Sequence, residues 1–273
     1  MNAKTIISAP AAWHVEPDRK AHYDRIHSVF ESDGIQIDRF HNNPSYFRRD
    51  ADGKPVPLQG SHPTLIHWPL ARYVGGHALM ATLTERIRDV EKIVSDGSIA
   101  WIAPSHWHST VFTPVHSSDP DVIASANTDI SEIVRRELTL TQPYDIVFTR
   151  LILTSDCGIK AAGYAVGSEL DSLRERLRTA VPGGTASALV HISLGNFLRL
   201  PSSECLPSLK SFARQFLNDT VVLGRLKVDF LTYAIYTGPF IHMTVQPVFS
   251  EPLGKKPDQG WIAGKRSLGP SES

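Results

Sequence analysis

The chain has 273 residues and carries 28 Lys plus Arg against 28 Asp plus Glu, so its net charge is zero; 41% of it is hydrophobic and 21% charged. That is the composition of a globular chain with a real core, and its balanced surface excludes a general attraction for polynucleotides or anionic membranes, so no extended nucleic-acid groove is expected. Two cysteines without CxxC or metal-ligand spacing, Cys157 and Cys205, and the lack of a bilayer-length apolar run or a convincing signal peptide point to a cytoplasmic monomer with free thiols.

In chain order, DRKAHYDRIHSVFESD (18–33) predicts the first helix, with Asp18 as cap, Gly34 as stop and Tyr23, Ile26 and Phe30 on one face. A turn-rich segment follows, HNNPSYFRRDADGKPVPLQG. TLIHWPL reads as a strand and HALMATLTERIRDVEKIV as a long amphipathic helix; IAWIAP and WHSTVFT are short strands split by Pro104-Ser105. VHSSDPDVIASANTD is expected to be a loop before a helix through SEIVRRELTL. DIVFTRLILT and IKAAGYAV are strands turning at Asp156-Cys157-Gly158, and SELDSLRERLRTAV is a helix with Ser168 as cap. ALVHISLGNF is a strand and LPSLKSFARQFLND a helix; GRLKVDFLTYAIY and FIHMTVQPVF form a closing pair of strands around Thr237-Gly238-Pro239. The order helix, His–hydroxyl strand, helix occurs around residues 77 to 140 and again around 168 to 218, which favours two similar α+β lobes. Residues 1–45 read as an N-terminal helical extension, 46–250 as the bilobal domain and 251–273 as a flexible tail.

A strand alternates faces with period two, so a histidine and a hydroxyl two residues apart point the same way. With 43 Ser plus Thr and twelve histidines, about two such pairs arise by chance. There are five: His62–Thr64, His108–Thr110, His116–Ser118, His191–Ser193 and His242–Thr244. His116 sits in a loop signature, SSDPD. His62 precedes a proline, which confines it to a strand start or an edge. His242 lies outside the repeat, because only the tail follows it. His108 and His191 remain, each with its hydroxyl partner, Thr110 and Ser193.

These two pairs, His108-Ser109-Thr110-Val111 and His191-Ile192-Ser193-Leu194, resemble the 2H phosphoesterase superfamily, whose hallmark is two His-x-Ser/Thr motifs on strands, each followed by an apolar residue. That superfamily includes the RNA 2′,3′-cyclic phosphodiesterases and bacterial 2′-5′ RNA ligase-like proteins, and IAWIAPSHWHSTVF and DGKPVPLQGSHPTLIHWPL are similar to segments of a poorly characterised bacterial branch of it. The likeness covers residues 50 to 250; Ser193 stands where threonine is commoner. It implies an α+β, bilobal fold with two antiparallel sheets facing a central cleft and helices outside.

The chemistry implied is metal-independent hydrolysis of a cyclic phosphate, on a 2′,3′-cyclic nucleotide, an RNA end or a related nucleotide, with no cofactor. His108 and His191 serve as general base and acid, since an ordinary imidazole pKa suits both roles. Thr110 and Ser193 donate to the non-bridging oxygens. Phe112 is expected on the face of His108 and Thr110, free to stack a base, with core packing as its other use. Two alternatives stay open. His106-Trp107-His108 is an HxH that on a strand pairs two imidazoles for a metal-dependent hydrolase or oxygenase, and the chain can be a non-catalytic nucleotide or RNA-end binding module. Arg174, Arg176 and Arg178 read as a solvated helix face, while Lys160 and Arg150 can reach a phosphate or form ion pairs.

Overall fold

The computed structural model describes residues 17–43, 47–115, 120–239 and 244–254. Helix α1 (Pro17–Asp33) ends at Gly34, whose φ of +66° suits a residue without a Cβ. A short helix α2 (Ile37–His41) and a small hairpin of β1 (Phe47–Arg49) and β2 (Pro55–Pro57) follow. Then come β3 (Gln59–His67), α3 (Gly76–Ile93), β4 (Ile99–Trp101), β5 (Ser109–Thr113) and α4 (Pro120–Thr139). The second half runs β6 (Tyr144–Leu153), β7 (Gly158–Val166), α5 (Glu169–Ala180), β8 (Thr185–Ala186), β9 (Val190–Phe197) and α6 (Cys205–Arg214). Strands β10 (Gly224–Val228), β11 (Phe230–Pro239) and β12 (Thr244–Pro252) close the chain.

Two five-stranded antiparallel sheets result, ordered β12-β11-β3-β5-β8 and β10-β6-β7-β9-β4. The fold is α+β. The expected repeat is present, with an exchange of strands that the sequence does not announce. β4 precedes β5 in the chain yet pairs with β9 of the other sheet, and β8 precedes β9 yet pairs with β5. Each half thus lends its partner an edge strand, which covers the open edge beside the motif strand. Gly195 permits one of these exchanges: a Cβ there would meet the Ala100 carbonyl oxygen of β4 at 2.8 Å.

Most apolar side chains join one large core. Leu79 and Leu83 of α3, Leu170, Leu173 and Leu177 of α5, and Ile192 and Leu194 of β9 all belong to it. Two smaller clusters stand apart, Tyr23 with Ile152, Ala162 and Tyr164, and Ile66 with Ala234, Tyr236 and Val245. Among the described residues no helix is long and apolar enough to cross a membrane, and Cys157 and Cys205 are both free thiols.

Three expectations change. Helix α4 begins at Pro120, well inside the stretch read as a loop, because proline is well suited to a helix's first turn, where its missing N–H is not needed. GRLKVDFLTYAIY is two strands, not one: β10 ends at Val228 in the second sheet and β11 starts at Phe230 in the first, with Asp229 at the crossing. Strand β12 runs to Pro252 and Leu253 is only 2% exposed in the main core, so ordered packing continues past Glu251. His116, Ser118 and His242 lie outside the described residues, while Thr244 begins β12.

Candidate active site

Strand β5 carries the first motif. Thr110 is paired with Ile66 of β3 and Phe112 with Leu65, so consecutive residues on β3 face residues two apart on β5. Val111 is the extra residue of a β-bulge. On β9, Lys160 of β7 is paired with Ser193 and Ile159 with Gly195, which makes Leu194 the extra residue there. Both bulges fall on the apolar residue that closes the motif tetrad, and both residues are fully buried. An apolar anchor next to the hydroxyl pins the strand while the kink re-aims its neighbours.

The first bulge overturns one expectation. Leu65 and Ile66 point to opposite faces, so Phe112 points away from Thr110. Phe112 is fully buried in the main core, with its ring against Gly184. It is a packing residue and has no surface to offer a base.

His108 and Thr110 are half-buried. The Nδ1–H of His108 donates to the His106 carbonyl at 2.7 Å, which leaves Nε2 for chemistry. Burial holds its pKa down to about 4, opposed by that carbonyl and aided by the neighbouring His106. The ring lies against that of Tyr236, with centroids 4.7 Å apart. His106 itself closes a 3-10 turn, Pro104–His106, and is not on the strand, so the HxH pair lacks the shared face that a strand would give it. Among the described residues, no group of three or more His, Cys, Asp or Glu side chains is placed to hold a metal ion.

The second motif lies on β9 of the other sheet. Strands β5 and β9 are neighbours in space. Burial pushes His191 down to about 3, helped by the charge of Lys160 and by His108. Its Nδ1 is buried without a hydrogen-bond partner. Ser193 is opposite Lys160 and His191 opposite Ala162, which puts Lys160, His191 and Ser193 on one face. Lys160 forms no ion pair among the described residues, so its charge is uncommitted at this face.

The remaining basic candidates have other duties. Arg150 is 2% exposed and holds Asp219 through Nε and Nη2 at 2.6 and 2.5 Å, and Asp24 of α1 through Nη1 at 2.7 Å. Arg174 is buried rather than solvated, bonded to Asp171 and the Leu189 carbonyl; Arg176 pairs with Glu137 and Arg178 with Glu175. Two residues were missed by sequence reasoning: Tyr236, which reaches the site from β11, and His67. His67 is fully buried behind β5, joined to the Ser109 carbonyl oxygen at 3.1 Å and the Tyr144 hydroxyl at 2.7 Å, and burial lowers its pKa to about 3. It links the first sheet to β6 of the second. A histidine directly before Trp68-Pro69 carries no local sign of that role.

No family model matches the sequence, and no curated protein does. Solved structures do. A conserved protein of unknown function from Agrobacterium tumefaciens is 15% identical, covers 88% of this chain and 100% of its own, and superposes with a TM-score of 0.48. E. coli LigT complexed with NADP+ is 13% identical over 72% of this chain and 99% of its own, TM-score 0.46. A Thermus thermophilus protein is 11% identical over 72% and 98%, TM-score 0.46.

Proposed function

We propose that the protein is a phosphodiesterase that opens a cyclic phosphate, on a 2′,3′-cyclic nucleotide or an RNA end, with His108 and His191 as its acid–base pair. The observation that carries this reading is that two His–hydroxyl strands from separate halves, β5 and β9, are neighbours in space. One neutral imidazole takes a proton from water as its oxygen bonds to phosphorus. The other, as imidazolium, gives a proton to the ring oxygen whose bond to phosphorus breaks. The Thr110 and Ser193 hydroxyls donate to the non-bridging oxygens, and Lys160 offsets their charge.

Burial keeps both rings neutral when the site is empty. The acid must nevertheless be charged. An arriving phosphate supplies the negative charge that favours protonating one ring, so substrate and catalytic proton enter together. Clefts that bind anions by this linkage exclude idle imidazolium and need no fixed carboxylate beside the histidines.

The test is a product assay on cyclic nucleotides, RNAs with cyclic ends and 2′-5′ linked dimers. Separate His108→Ala and His191→Ala variants should stay folded and lose about 10²- to 10⁴-fold in turnover. Wild-type turnover in either variant would overturn the scheme. Tight nucleotide binding without any hydrolysis would instead favour a binding module.

A further inference from the structure

Tyr236 has a polar end that packing does not explain. It is 6% exposed and belongs to the small apolar cluster with Ile66, Ala234 and Val245. Its ring leans on the His108 imidazole at an interplanar angle of 37°. Its hydroxyl is shut off from solvent and makes no hydrogen bond of ordinary geometry, and the group beside it is the Thr110 hydroxyl. A buried phenol normally finds a partner, and one that does not costs free energy which phenylalanine would spare.

A threonine hydroxyl has one proton and two lone pairs. If its proton is to point at a phosphoryl oxygen, a donor on the other side of the oxygen fixes the rotor and strengthens the bond it makes. We infer that Tyr236 is a positioning residue for the phosphate site: its O–H donates to Thr110 Oγ1 when an anion accepts the Thr110 proton, while its ring holds His108 in place. The inference rests on the reading of Thr110 as a phosphoryl donor. It gives the buried phenol a use that packing does not, through the Thr110 hydroxyl beside it.

Tyr236→Phe keeps the ring and removes the hydroxyl. Two quantities are read in the wild type, Tyr236→Phe, Thr110→Ala and the double variant: kcat/KM on a 2′,3′-cyclic nucleotide, and the affinity for inorganic phosphate by calorimetry. Tyr236→Phe should lower each by about three- to tenfold, with the loss in kcat rather than KM, and leave Tm equal or higher. In the Thr110→Ala background the same change should cost nothing further, because the phenol acts through Thr110. A lowered Tm with phosphate affinity and kcat/KM within twofold of wild type marks a merely structural tyrosine and overturns the inference. So do losses that simply add in the double variant. If no cyclic phosphate is hydrolysed but the coupling appears in phosphate affinity, the positioning role stands and the hydrolase reading falls. If hydrolysis is robust and the coupling is absent, the reverse holds.

Discussion

On the first sheet the motif histidine is clamped: Nδ1 of His108 is tied to a carbonyl, and an aromatic ring lies against its imidazole. On the second sheet His191 has no partner for Nδ1 and shares its face with Lys160, which is paired with Ser193. The wider settings differ as well. His191, Ala162 and Arg150 are aligned across β9, β7 and β6, so they share one face, and that is the face on which α1 packs. Tyr23 of α1 accepts from the Val190 N–H and donates at the ladder end near the Gly163 and Val190 carbonyls. Nothing comparable covers the face of His108 among the described residues. Two like motifs thus sit in unlike surroundings, which is what the proposed acid–base pair requires.

The largest way to break this contrast is to remove the support beneath the second side alone. Asp219 accepts from Thr149, from two nitrogens of Arg150 and from Tyr164. Asp219→Ala leaves the buried guanidinium with Asp24 as its one carboxylate. A loss of about 3–5 kcal/mol is expected, read as a fall in the urea midpoint with an unchanged m value. A loss below 1 kcal/mol would mean that α1 is not held to the second sheet through Arg150.

Acid sharpens the comparison next. Burial holds His67, His108 and His191 near 3, 4 and 3, all below the ordinary imidazole value of about 6.5. Between those values and about 6.5 the unfolded chain binds more protons than the native one. Stability is therefore full above about pH 6.5 and falls as the pH drops, by up to about 1.4 kcal/mol per unit for each ring, before levelling near pH 3–4. Urea titrations across pH 4–7 check the slope. His67→Gln should reduce it by one ring's share, and a stability independent of pH there would show that the rings are not buried neutral.

How much of this was visible beforehand depends on the range of the interaction. Strand period alone aligns His108 with Thr110 and His191 with Ser193, and α1 is announced by Tyr23, Phe30 and Gly34. The period fails at Phe112, because a bulge is a property of two paired strands and VFT contains no mark of it. It fails at Asp229 for a related reason, since KVDFL alternates well enough to be one strand and only its two sets of partners divide it. Pro120 was a legible helix start hidden by the loop-like composition before it. Tyr236 reaches the site from a strand distant in the chain, so no local pattern could have assigned it, and Lys160 was legible as a strand lysine but not as a neighbour of Ser193.

Lys160 gives the finest test of the asymmetry. Burial is the larger cause of the low pKa of His191 and the Lys160 charge the smaller. Lys160→Met should therefore raise the His191 value without restoring it to 6.5, while His108, which does not share that charge, stays in place. An NMR titration of the two imidazoles reads both in one sample. The ammonium is partly exposed, so its help in binding is modest, and KM for a cyclic phosphate should rise about two- to fivefold. Equal shifts at both histidines would mean that the lysine acts on the site as a whole, and the division of labour between the two sides would have to come from the Tyr236 side alone.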